Sequence, residues 1–349
     1  MNNMNENANT KSQLGQFFTT NYEYILQGLN IPKDIMHVIE PFAGNGDLLS
    51  FIEDKDLYTI ECYDIDPKKE FVQQRDTLND PPDYEGKFVL SNPPYLALNK
   101  TNDKEVFAKY GVNDLYKCFL VNLLTNKCAG GILIIPLNFW CSIRKMDVDL
   151  RKRFLQVYSI QQLNIFEERV FDDTSYIVCS FQFSILKEKD ANKEIPITIY
   201  PAKKLITASL NPNNNYMIGG EIYVLNPQNT YKITRLIKGQ EPNTNILAKC
   251  IDDNSSSKIG LKMVPDEEIY FDETPNKTAR TYATLVITPA ITMDKQVALV
   301  QEFNNYFNKH RERYHSLFLT NYRESKGEMA RKRISFELIY DIVGHLLMQ

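Results

Sequence analysis

The chain has 349 residues, of which 43% are hydrophobic and 24% charged, so it can bury a sizeable core and exceeds the usual size of one domain. A formal net charge of −4 argues against a uniformly basic nucleic-acid-binding protein, and the longest strongly apolar run, 130–140, is too short to span a bilayer. Six cysteines form no Cys-x-x-Cys pair and four histidines are scattered, so a zinc site is disfavoured and a reduced, cytoplasmic setting is favoured.

The chain divides into three predicted segments. Residues 1–13 are polar and rich in asparagine, so we expect a disordered leader and no signal peptide. Composition and turn frequency change near residue 200, and we therefore expect a first domain over 14–200 and a second over 201–349.

A glycine-containing turn follows the first predicted strand, which ends near residue 38. The segment Glu40-Pro41-Phe42-Ala43-Gly44-Asn45-Gly46-Asp47 predicts a strand end, a tight loop and the start of a helix. Gly44 and Gly46 let the backbone approach a ligand because they lack a Cβ atom. Leu49 stands where a dinucleotide fingerprint has its third glycine, and no Lys-Ser/Thr pair follows, so nicotinamide and ATP sites are disfavoured.

Acidic residues end the next two predicted strands. The strand 58–63 leads into Asp64-Ile65-Asp66, about 20 residues beyond the glycine loop, where a carboxylate suits the two hydroxyls of a ribose. Asp64 is the better ribose ligand, since Asp66 can cap a helix expected after Pro67. Asp76 follows a third, short strand, where it could accept a hydrogen bond from the amino group of an adenine ring.

The predicted strand 87–91 ends in Asn92-Pro93-Pro94-Tyr95, the most informative segment of the chain. The side-chain oxygen of Asn92 and the carbonyl of Pro93 could each accept an N–H bond of a planar amine, while Tyr95 stacks on the attached ring. The prolines fix the backbone and remove competing donors. The segment therefore indicates a site that holds an exocyclic amine, such as that of adenine, for attack on an electrophilic methyl group.

Strands and helices continue to alternate after this segment. A helix over 114–127, stopped by Gly130-Gly131, and a helix over 146–158 flank an apolar strand at 132–136. Two more strands at 160–166 and 176–186 complete the sheet, the last pair antiparallel. The pattern predicts a seven-stranded, mostly parallel, doubly wound α/β sheet that binds ligands at the carboxyl ends of its strands.

The second domain is predicted to be mixed α/β and to end in helices over 297–307 and 336–348. Residues 309–333 hold eight Lys/Arg against three Glu, whereas residues 1–100 hold 16 acids against eight Lys/Arg. A basic block with interleaved aromatic residues predicts contacts with phosphates, the alternative being a solvated helical face. The candidate DNA-binding side chains of this block are Arg311, Arg313, Arg323, Lys326, Arg331, Lys332 and Arg333.

The motifs above, together with Gly15-Gln16-Phe17-Phe18-Thr19, resemble in type and order the S-adenosylmethionine-dependent DNA adenine-N6 methyltransferases. The cofactor motifs precede the catalytic one, and a long extension follows, as in their gamma class of type II restriction-modification systems. The resemblance covers about residues 14–186, with Thr20 where many relatives have proline. It implies a cofactor-binding catalytic domain over 14–200 and a target-recognition domain over 201–349.

The resemblance also implies the roles of individual residues. Asn92 to Tyr95 would be catalytic, and Tyr95 and Phe171 would contact an adenine rotated out of duplex DNA. Phe171 is equally well explained as an aromatic anchor of its loop. The residues implied to bind S-adenosylmethionine are Phe17, Thr19, Glu40, Pro41, Phe42, Gly44, Gly46, Asp64, Ile65, Asp76 and Asn92.

The implied partner is double-stranded DNA, and no metal is expected. The resemblance allows a cognate restriction endonuclease that acts separately, and either a monomer or a homodimer. Alternative substrates are cytosine N4, adenine in RNA, and a protein glutamine, because the same tetrapeptide occurs in enzymes acting on those amines. A different class of function, a non-catalytic DNA-binding subunit that retains the fold, would be recognised by the absence of cofactor affinity.

Overall fold

The computed structural model describes residues 19–171, 176–187, 193–225, 230–252, 258–273, 281–322 and 331–349. The chain divides into two compact units. Of the described residues, the first comprises those within 19–140 and 144–209, and the second comprises those within 141–143, 210–322 and 331–349. Within the described ranges, no helix combines the length and the apolar character needed to cross a membrane.

The first unit is built on one mixed sheet, to which the described residues contribute nine strands. In chain order the strands are β1 (His37–Glu40), β2 (Thr59–Asp64), β3 (Gln73–Gln74), β4 (Phe88–Ser91), β5 (Gly130–Pro136), β6 (Tyr158–Phe166), β7 (Val178–Ile185), β8 (Ile195–Tyr200) and β9 (Lys204–Ala208). Their spatial order is β3-β2-β1-β4-β5-β7-β6-β8-β9. The pairs from β3 to β5 are parallel, β7 is antiparallel to both β5 and β6, β8 is parallel to β6, and β9 is antiparallel to β8.

Helices of the first unit lie in the connections between these strands. The α-helices are α1 (Tyr22–Ile25), α2 (Glu105–Tyr110), α3 (Leu115–Thr125), α4 (Asn138–Cys141) and α5 (Lys145–Leu155). The short 3-10 helices are Asp47–Phe51, Lys55–Leu57 and Leu98–Lys100. The expected helices over 114–127 and 146–158 therefore correspond to α3 and α5.

The prediction of seven strands was wrong, because β8 and β9 extend the sheet beyond β6. The segment Ile195–Tyr200 alternates apolar and polar residues, and its three isoleucines are buried. An alternating segment of this kind is typical of a strand with one covered face. Strand β9 lies beyond residue 200, in the segment assigned to the second domain because turn residues become frequent there.

Two predicted helices are also absent from the described residues. The glycine loop leads into the five-residue 3-10 helix Asp47–Phe51, and residues 65–72 after β2 contain no helix. Eight residues are too few for a helical crossover, since parallel connections that include a helix usually need a dozen or more. The connection from β2 to β3 is consequently a loop.

Gly130 and Gly131 lie within β5 and do not simply stop the preceding helix, which ends at Thr125. A Cβ atom on Gly130 would lie 2.5 Å from the carbonyl oxygen of Phe183 in β7, and one on Gly131 would lie 2.4 Å from that of Val89 in β4. The two glycines are required by the close approach of both neighbouring strands. Every residue of β5 is buried, as expected for a central strand.

The order of the strands reverses between β1 and β4. From β1 the sheet runs through β2 to β3 on one side, and through β4 to β5 on the other. Loops from adjacent carboxyl ends diverge at such a switch point and leave a crevice there. The crevice lies beyond Glu40, Asp64 and Ser91, the last residues of β1, β2 and β4.

The second unit contains an antiparallel sheet of order β10-β13-β11-β12 and a hairpin of β14 and β15. The strands are β10 (Lys232–Arg235), β11 (Ile246–Lys249), β12 (Gly260–Met263), β13 (Tyr282–Thr288), β14 (Thr320–Tyr322) and β15 (Arg331–Arg333). The two long helices are α6 (Met293–Tyr314) and α7 (Phe336–Leu347), and the short 3-10 helices are Pro212–Asn214, Gly220–Tyr223 and Asp266–Glu268. The long helices correspond to those predicted at 297–307 and 336–348.

Candidate active site

A cavity of about 820 Å³, counting open solvent at its mouth, lies at the switch point of the large sheet. The cavity is lined by Thr19, Glu40, Phe42, Ala43, Gly44, Asp47, Leu48, Asp64, Ile65, Arg75, Asp76, Thr77, Leu78, Asn92, Pro94 and Leu115. Eight residues predicted to bind a cofactor therefore share one cavity with Pro94 of the catalytic segment.

The glycine loop is held by the carboxylate of Asp64. The backbone N–H of Gly44 donates to Asp64 Oδ2 over 2.8 Å, and the N–H of Asp66 donates to Asp64 Oδ1 over 2.8 Å. Gly44 and Gly46 have φ values of 53° and 77°, in the left-handed region that glycine adopts without strain. Burial raises the pKa of Asp64, and the two N–H donors partly offset that rise.

Glu40 is a buried acid at the end of β1. Only 1% of the residue is exposed, and its Oε2 atom has no hydrogen-bond partner among the described residues. Burial, followed by the nearby charges of Asp47 and Asp64, raises the pKa of Glu40 well above its ordinary value. An unsatisfied buried carboxylate that lines a cavity is suited to a cationic or N–H-donating ligand.

Asp76 and Ile65 line another part of the cavity. Asp76 Oδ1 accepts the backbone N–H groups of Leu78 and Asn79, over 3.2 Å and 3.1 Å, so the carboxylate also shapes its own turn. Ile65 is 47% exposed although it is a large apolar residue, which gives the cavity an apolar surface. A carboxylate beside an exposed apolar side chain suits a flat ring that carries an amino group.

The side chain of Asn92 is held at both ends. Asn92 Nδ2 donates to Thr19 Oγ1 over 3.0 Å, and the hydroxyl of Tyr95 donates to Asn92 Oδ1. The Tyr95 hydroxyl also lies 2.8 Å from the carbonyl oxygen of Ile134 in β5. Asn92 and Thr19 line the cavity, whereas Tyr95 is outside the lining and only 3% exposed.

The aromatic residues near Asn92 form a cluster behind the cavity. The ring of Tyr95 meets those of Tyr116 and Tyr176 edge-on, with centroid distances of 6.1 Å and 6.2 Å. Phe171 is 5% exposed, and its carbonyl accepts from Arg169 Nε over 3.2 Å. Tyr176, which contacts Tyr95, is partly exposed.

The remaining predicted cofactor residues are placed as follows. Pro41 lies beside the cavity, and its carbonyl accepts the hydroxyl of Thr77 over 3.0 Å. Phe42 lines the cavity and meets the ring of Phe119 edge-on. Gly46 and Pro93 are next to lining residues, and Phe17 falls outside the described residues.

The predicted DNA-binding block does not form one helical face. Lys309, Arg311 and Arg313 lie in α6, whereas Arg331, Lys332 and Arg333 form β15, where their side chains are partly exposed. Arg311 makes a two-pronged ion pair with Asp252, with N–O distances of 3.1 Å and 2.6 Å.

Arg313 is exposed, and its guanidinium lies 4.9 Å from the ring centroid of Tyr314. Arg323 and Lys326 lie outside the described residues. Arg311 therefore forms an ion pair within the second unit, whereas Arg313 is exposed to solvent.

Several residues that line the cavity were not predicted from the sequence. Arg75 follows β3 directly, and its Nε lies 3.0 Å from Asp80 Oδ2. Leu115 begins α3, far from the other lining residues in sequence, and no local signal marks it. Asp47 follows the predicted residue Gly46, and Thr77 and Leu78 follow the predicted residue Asp76. Their closeness to these strand-end motifs is the sequence signal that could have identified them as cavity residues.

No protein-family model and no curated protein matches the chain. Among solved structures, a protein regarded as a modification subunit of a type I restriction enzyme from Vibrio vulnificus YJ016 is 12% identical, with a TM-score of 0.43. The overlap covers 58% of this chain and 51% of that one. The methyltransferase subunit of a type I restriction-modification system from Streptococcus thermophilus is 15% identical, with a TM-score of 0.37, and the overlap covers 53% and 47%.

A third similar structure, regarded as a class I S-adenosylmethionine-dependent methyltransferase from Listeria monocytogenes, is 14% identical with a TM-score of 0.38. The overlap covers 52% of this chain and 62% of that one. The chain thus spans about half the length of the first two structures. At these identities and TM-scores, the similarity carries no conclusion about function.

Proposed function

We propose that the chain is an S-adenosylmethionine-dependent methyltransferase whose target is the exocyclic N6 amine of adenine in double-stranded DNA. The observation that carries the proposal is the composition of one cavity. An acid-rich pocket at the switch point of the sheet contains Glu40, Asp64 and Asp76 together with Asn92. A site suited to a cationic nucleoside therefore adjoins a side chain suited to a planar amine.

The residues present fit S-adenosylmethionine, which carries a sulfonium, an ammonium, a ribose and an adenine. The cavity holds four acids, Glu40, Asp47, Asp64 and Asp76, against one base, Arg75. Such a balance suits a cation and opposes the triphosphate of ATP.

Individual parts of the cofactor match individual residues. The unsatisfied oxygen of Glu40 would accept from the ammonium, and Asp64 would accept from the ribose. Asp76 and Ile65 would hold the adenine ring by its amino group and its face. The bound cofactor supplies an electrophilic methyl group.

Asn92 would orient the attacking amine. An amide oxygen can accept two hydrogen bonds, so accepting from Tyr95 is compatible with accepting an N–H bond of the substrate. The Pro93 carbonyl would accept the second N–H bond, which draws the nitrogen lone pair out of conjugation with the ring. Catalysis then depends on position and electrostatics, and the amine needs no general base before attack.

The target base would have to leave the double helix, because N6 of a stacked and paired adenine cannot enter a cavity in the protein. We propose that the second unit binds DNA. The contacts would come from exposed basic side chains such as that of Arg313 and from the partly exposed basic side chains of strand β15. These side chains would contact phosphates and so bind without reading the sequence. The proposal also includes a cognate restriction endonuclease that acts separately from this chain.

The test is transfer of tritium from labelled S-adenosylmethionine to unmodified plasmid DNA, followed by nucleoside analysis. Label in N6-methyldeoxyadenosine is expected, and Asn92→Ala should abolish it while cofactor affinity, measured by calorimetry, stays within about threefold. Asn30→Ala, which alters an exposed asparagine outside the cavity, is the matched control and should transfer normally.

Other outcomes of this test correct the proposal in defined ways. Label in N4-methyldeoxycytidine would change the target base and keep the reaction. Cofactor binding without label in DNA would direct the search to RNA adenine or a protein glutamine. No cofactor binding would overturn the proposal and leave a non-catalytic DNA-binding subunit.

A further inference from the structure

Loop 76–81, which follows β3 and brings Asp76 and Leu78 to the cavity, is held through its own backbone carbonyls. Five consecutive carbonyls, those of residues 77 to 81, each accept a hydrogen bond from a side chain outside the loop. A surface loop can leave such groups to water, so this arrangement indicates a loop fixed in one conformation. The donors are Asn122 to the carbonyl of Thr77, Lys109 and Tyr110 to that of Leu78, Lys109 to that of Asn79, and Arg75 to those of Asp80 and Pro81.

Two of these donors lie side by side at the end of helix α2. Lys109 Nζ donates to the carbonyl oxygens of Leu78 and Asn79 over 2.9 Å and 3.0 Å. The hydroxyl of Tyr110 donates to the same Leu78 carbonyl over 2.5 Å. Lys109 Nζ also lies 5.1 Å from the centroid of the Tyr110 ring, so the two side chains support each other. Burial raises the pKa of Tyr110 to about 12, and its hydroxyl therefore remains a donor throughout the neutral range.

The N–H groups of the loop converge on Asp76. Its Oδ1 atom accepts from the N–H groups of Leu78 and Asn79, and its backbone carbonyl accepts from the N–H of Asp80 over 2.7 Å. The side-chain amide of Asn79 donates to Asp76 Oδ2 over 2.8 Å. A carboxylate has about four acceptor positions, so it can accept a further N–H bond from a ligand. The position of the carboxylate is therefore determined by the conformation of residues 78–80.

The remaining donors hold the two ends of the loop. Arg75 Nε donates to the carbonyl of Asp80 over 2.8 Å and lies 3.0 Å from its carboxylate, and a second nitrogen of Arg75 donates to the carbonyl of Pro81 over 3.2 Å. Asn122, which lies in α3 and is 1% exposed, donates to the carbonyl of Thr77 over 3.2 Å. The ends are thus fixed independently of α2, and the bonds from α2 fix the middle of the loop.

We propose that Lys109 and Tyr110 are positioning residues, which hold loop 76–81 in the conformation in which Asp76 accepts the amino group of the cofactor's adenine. This inference rests on the proposed function, which assigns the adenine to Asp76. A loop that is ordered before the ligand arrives loses little freedom on binding, so the affinity depends on that order. A fixed carboxylate also discriminates between an amino group, which donates to it, and an oxo group, which cannot.

The double variant Lys109→Met with Tyr110→Phe tests this role, because it removes the three bonds from α2 and keeps most of both side chains. The probes are S-adenosylhomocysteine and S-inosylhomocysteine, which carry an amino and an oxo group, respectively, at C6 of the purine. Calorimetry of the wild type should show a preference for the adenine form. In the double variant we expect the affinity for S-adenosylhomocysteine to fall about tenfold and the preference for the adenine form to fall at least about threefold.

A matched control makes the same chemical changes elsewhere in the first unit. Lys104→Met with Tyr58→Phe alters an exposed lysine just before α2 and a partly exposed tyrosine just before β2. We expect this control to keep the wild-type affinity and preference. A merely structural role of Lys109 and Tyr110 predicts a lower melting temperature with an unchanged preference, because the molecules that stay folded would bind as the wild type does.

Hydrogen exchange of the ligand-free chain, followed by mass spectrometry, tests the loop without any cofactor. In segment 76–82, Pro81 and Pro82 carry no amide proton, so the signal comes largely from the N–H groups that converge on Asp76. We expect exchange in this segment to be faster in the double variant than in the wild type, and to be unchanged in the control.

The outcomes of the two measurements are distinguishable. A wild-type preference for the adenine form in a folded double variant, or a wild-type rate of exchange in its segment 76–82, would overturn the positioning role. A wild-type chain that binds neither homocysteine derivative would defeat the proposed function, while hydrogen exchange would still test whether Lys109 and Tyr110 fix the loop.

Discussion

Asp114 is a buried carboxylate whose replacement should stabilise the first unit at neutral pH. It lies immediately before α3, is 8% exposed, and its Oδ1 atom has no partner among the described residues. Burial raises the pKa of Asp114 to about 6, although Lys117 and nearby backbone N–H groups oppose the rise. The native state therefore binds a proton that the unfolded chain, with a pKa near 3.8, releases.

The sign and size of the effect follow from this difference. Between about pH 4 and pH 6 the native state holds more protons than the unfolded state, so the free energy of unfolding falls as the pH rises. The stability that the protonated group provides is present below the unfolded pKa and is lost above the folded pKa. A change from 3.8 to about 6 corresponds to about 3 kcal/mol, since one pH unit is worth about 1.36 kcal/mol.

Asp114→Asn removes the charge and keeps the shape of the side chain. We expect it to resemble the wild type near pH 4 and to be up to about 3 kcal/mol more stable at pH 8. Urea unfolding, followed by the fluorescence of Trp140, the only tryptophan and a buried residue, would measure the first unit. Asp83→Asn, at an exposed position, is the control. A stability difference that is constant across this pH range would refute the reasoning.

Two further substitutions test the site and the basic block. Asp64→Ala removes the acceptor of the Gly44 and Asp66 N–H groups. We therefore expect the affinity for S-adenosylmethionine, measured by calorimetry, to fall more than about tenfold. An unchanged affinity would contradict the role assigned to Asp64. Arg311→Ala should destabilise the second unit by about 1–3 kcal/mol in thermal or urea unfolding because Asp252 loses its ion pair. Arg313→Ala should leave that stability unchanged and weaken DNA binding in a salt-dependent manner, and the opposite pattern would contradict this division of roles.

Residues at the ends of strands were predictable from the sequence because local patterns determine them. Gly44, Asp64, Asp76 and Asn92 each lie at or just after the carboxyl end of a strand, and the switch point of the sheet brings them to one cavity. Their assembly follows from the alternation of elements, which the sequence displays.

Other features depended on contacts that no local pattern reveals. The segment Ile195–Tyr200 alternates as a strand should, yet only its pairing with β6 shows that it belongs to the large sheet. Arg311 could not be separated from Arg313 by sequence, because its partner Asp252 is 59 residues away. Likewise, the contact of the Tyr95 hydroxyl with the carbonyl oxygen of Ile134, 39 residues along the chain, could not be predicted from the tetrapeptide.

Under the proposed function, the excess of carboxylates in the cavity also has a consequence for turnover. When a methyl group leaves a sulfonium, the sulfur becomes neutral and the bound molecule loses one positive charge. A unit charge a few ångströms from a carboxylate is worth on the order of 1–4 kcal/mol at the effective dielectric of a protein site. The same acids that attract the charged donor would then hold the spent donor less strongly, so the cavity would favour exchange of product for fresh cofactor and limit inhibition by the product.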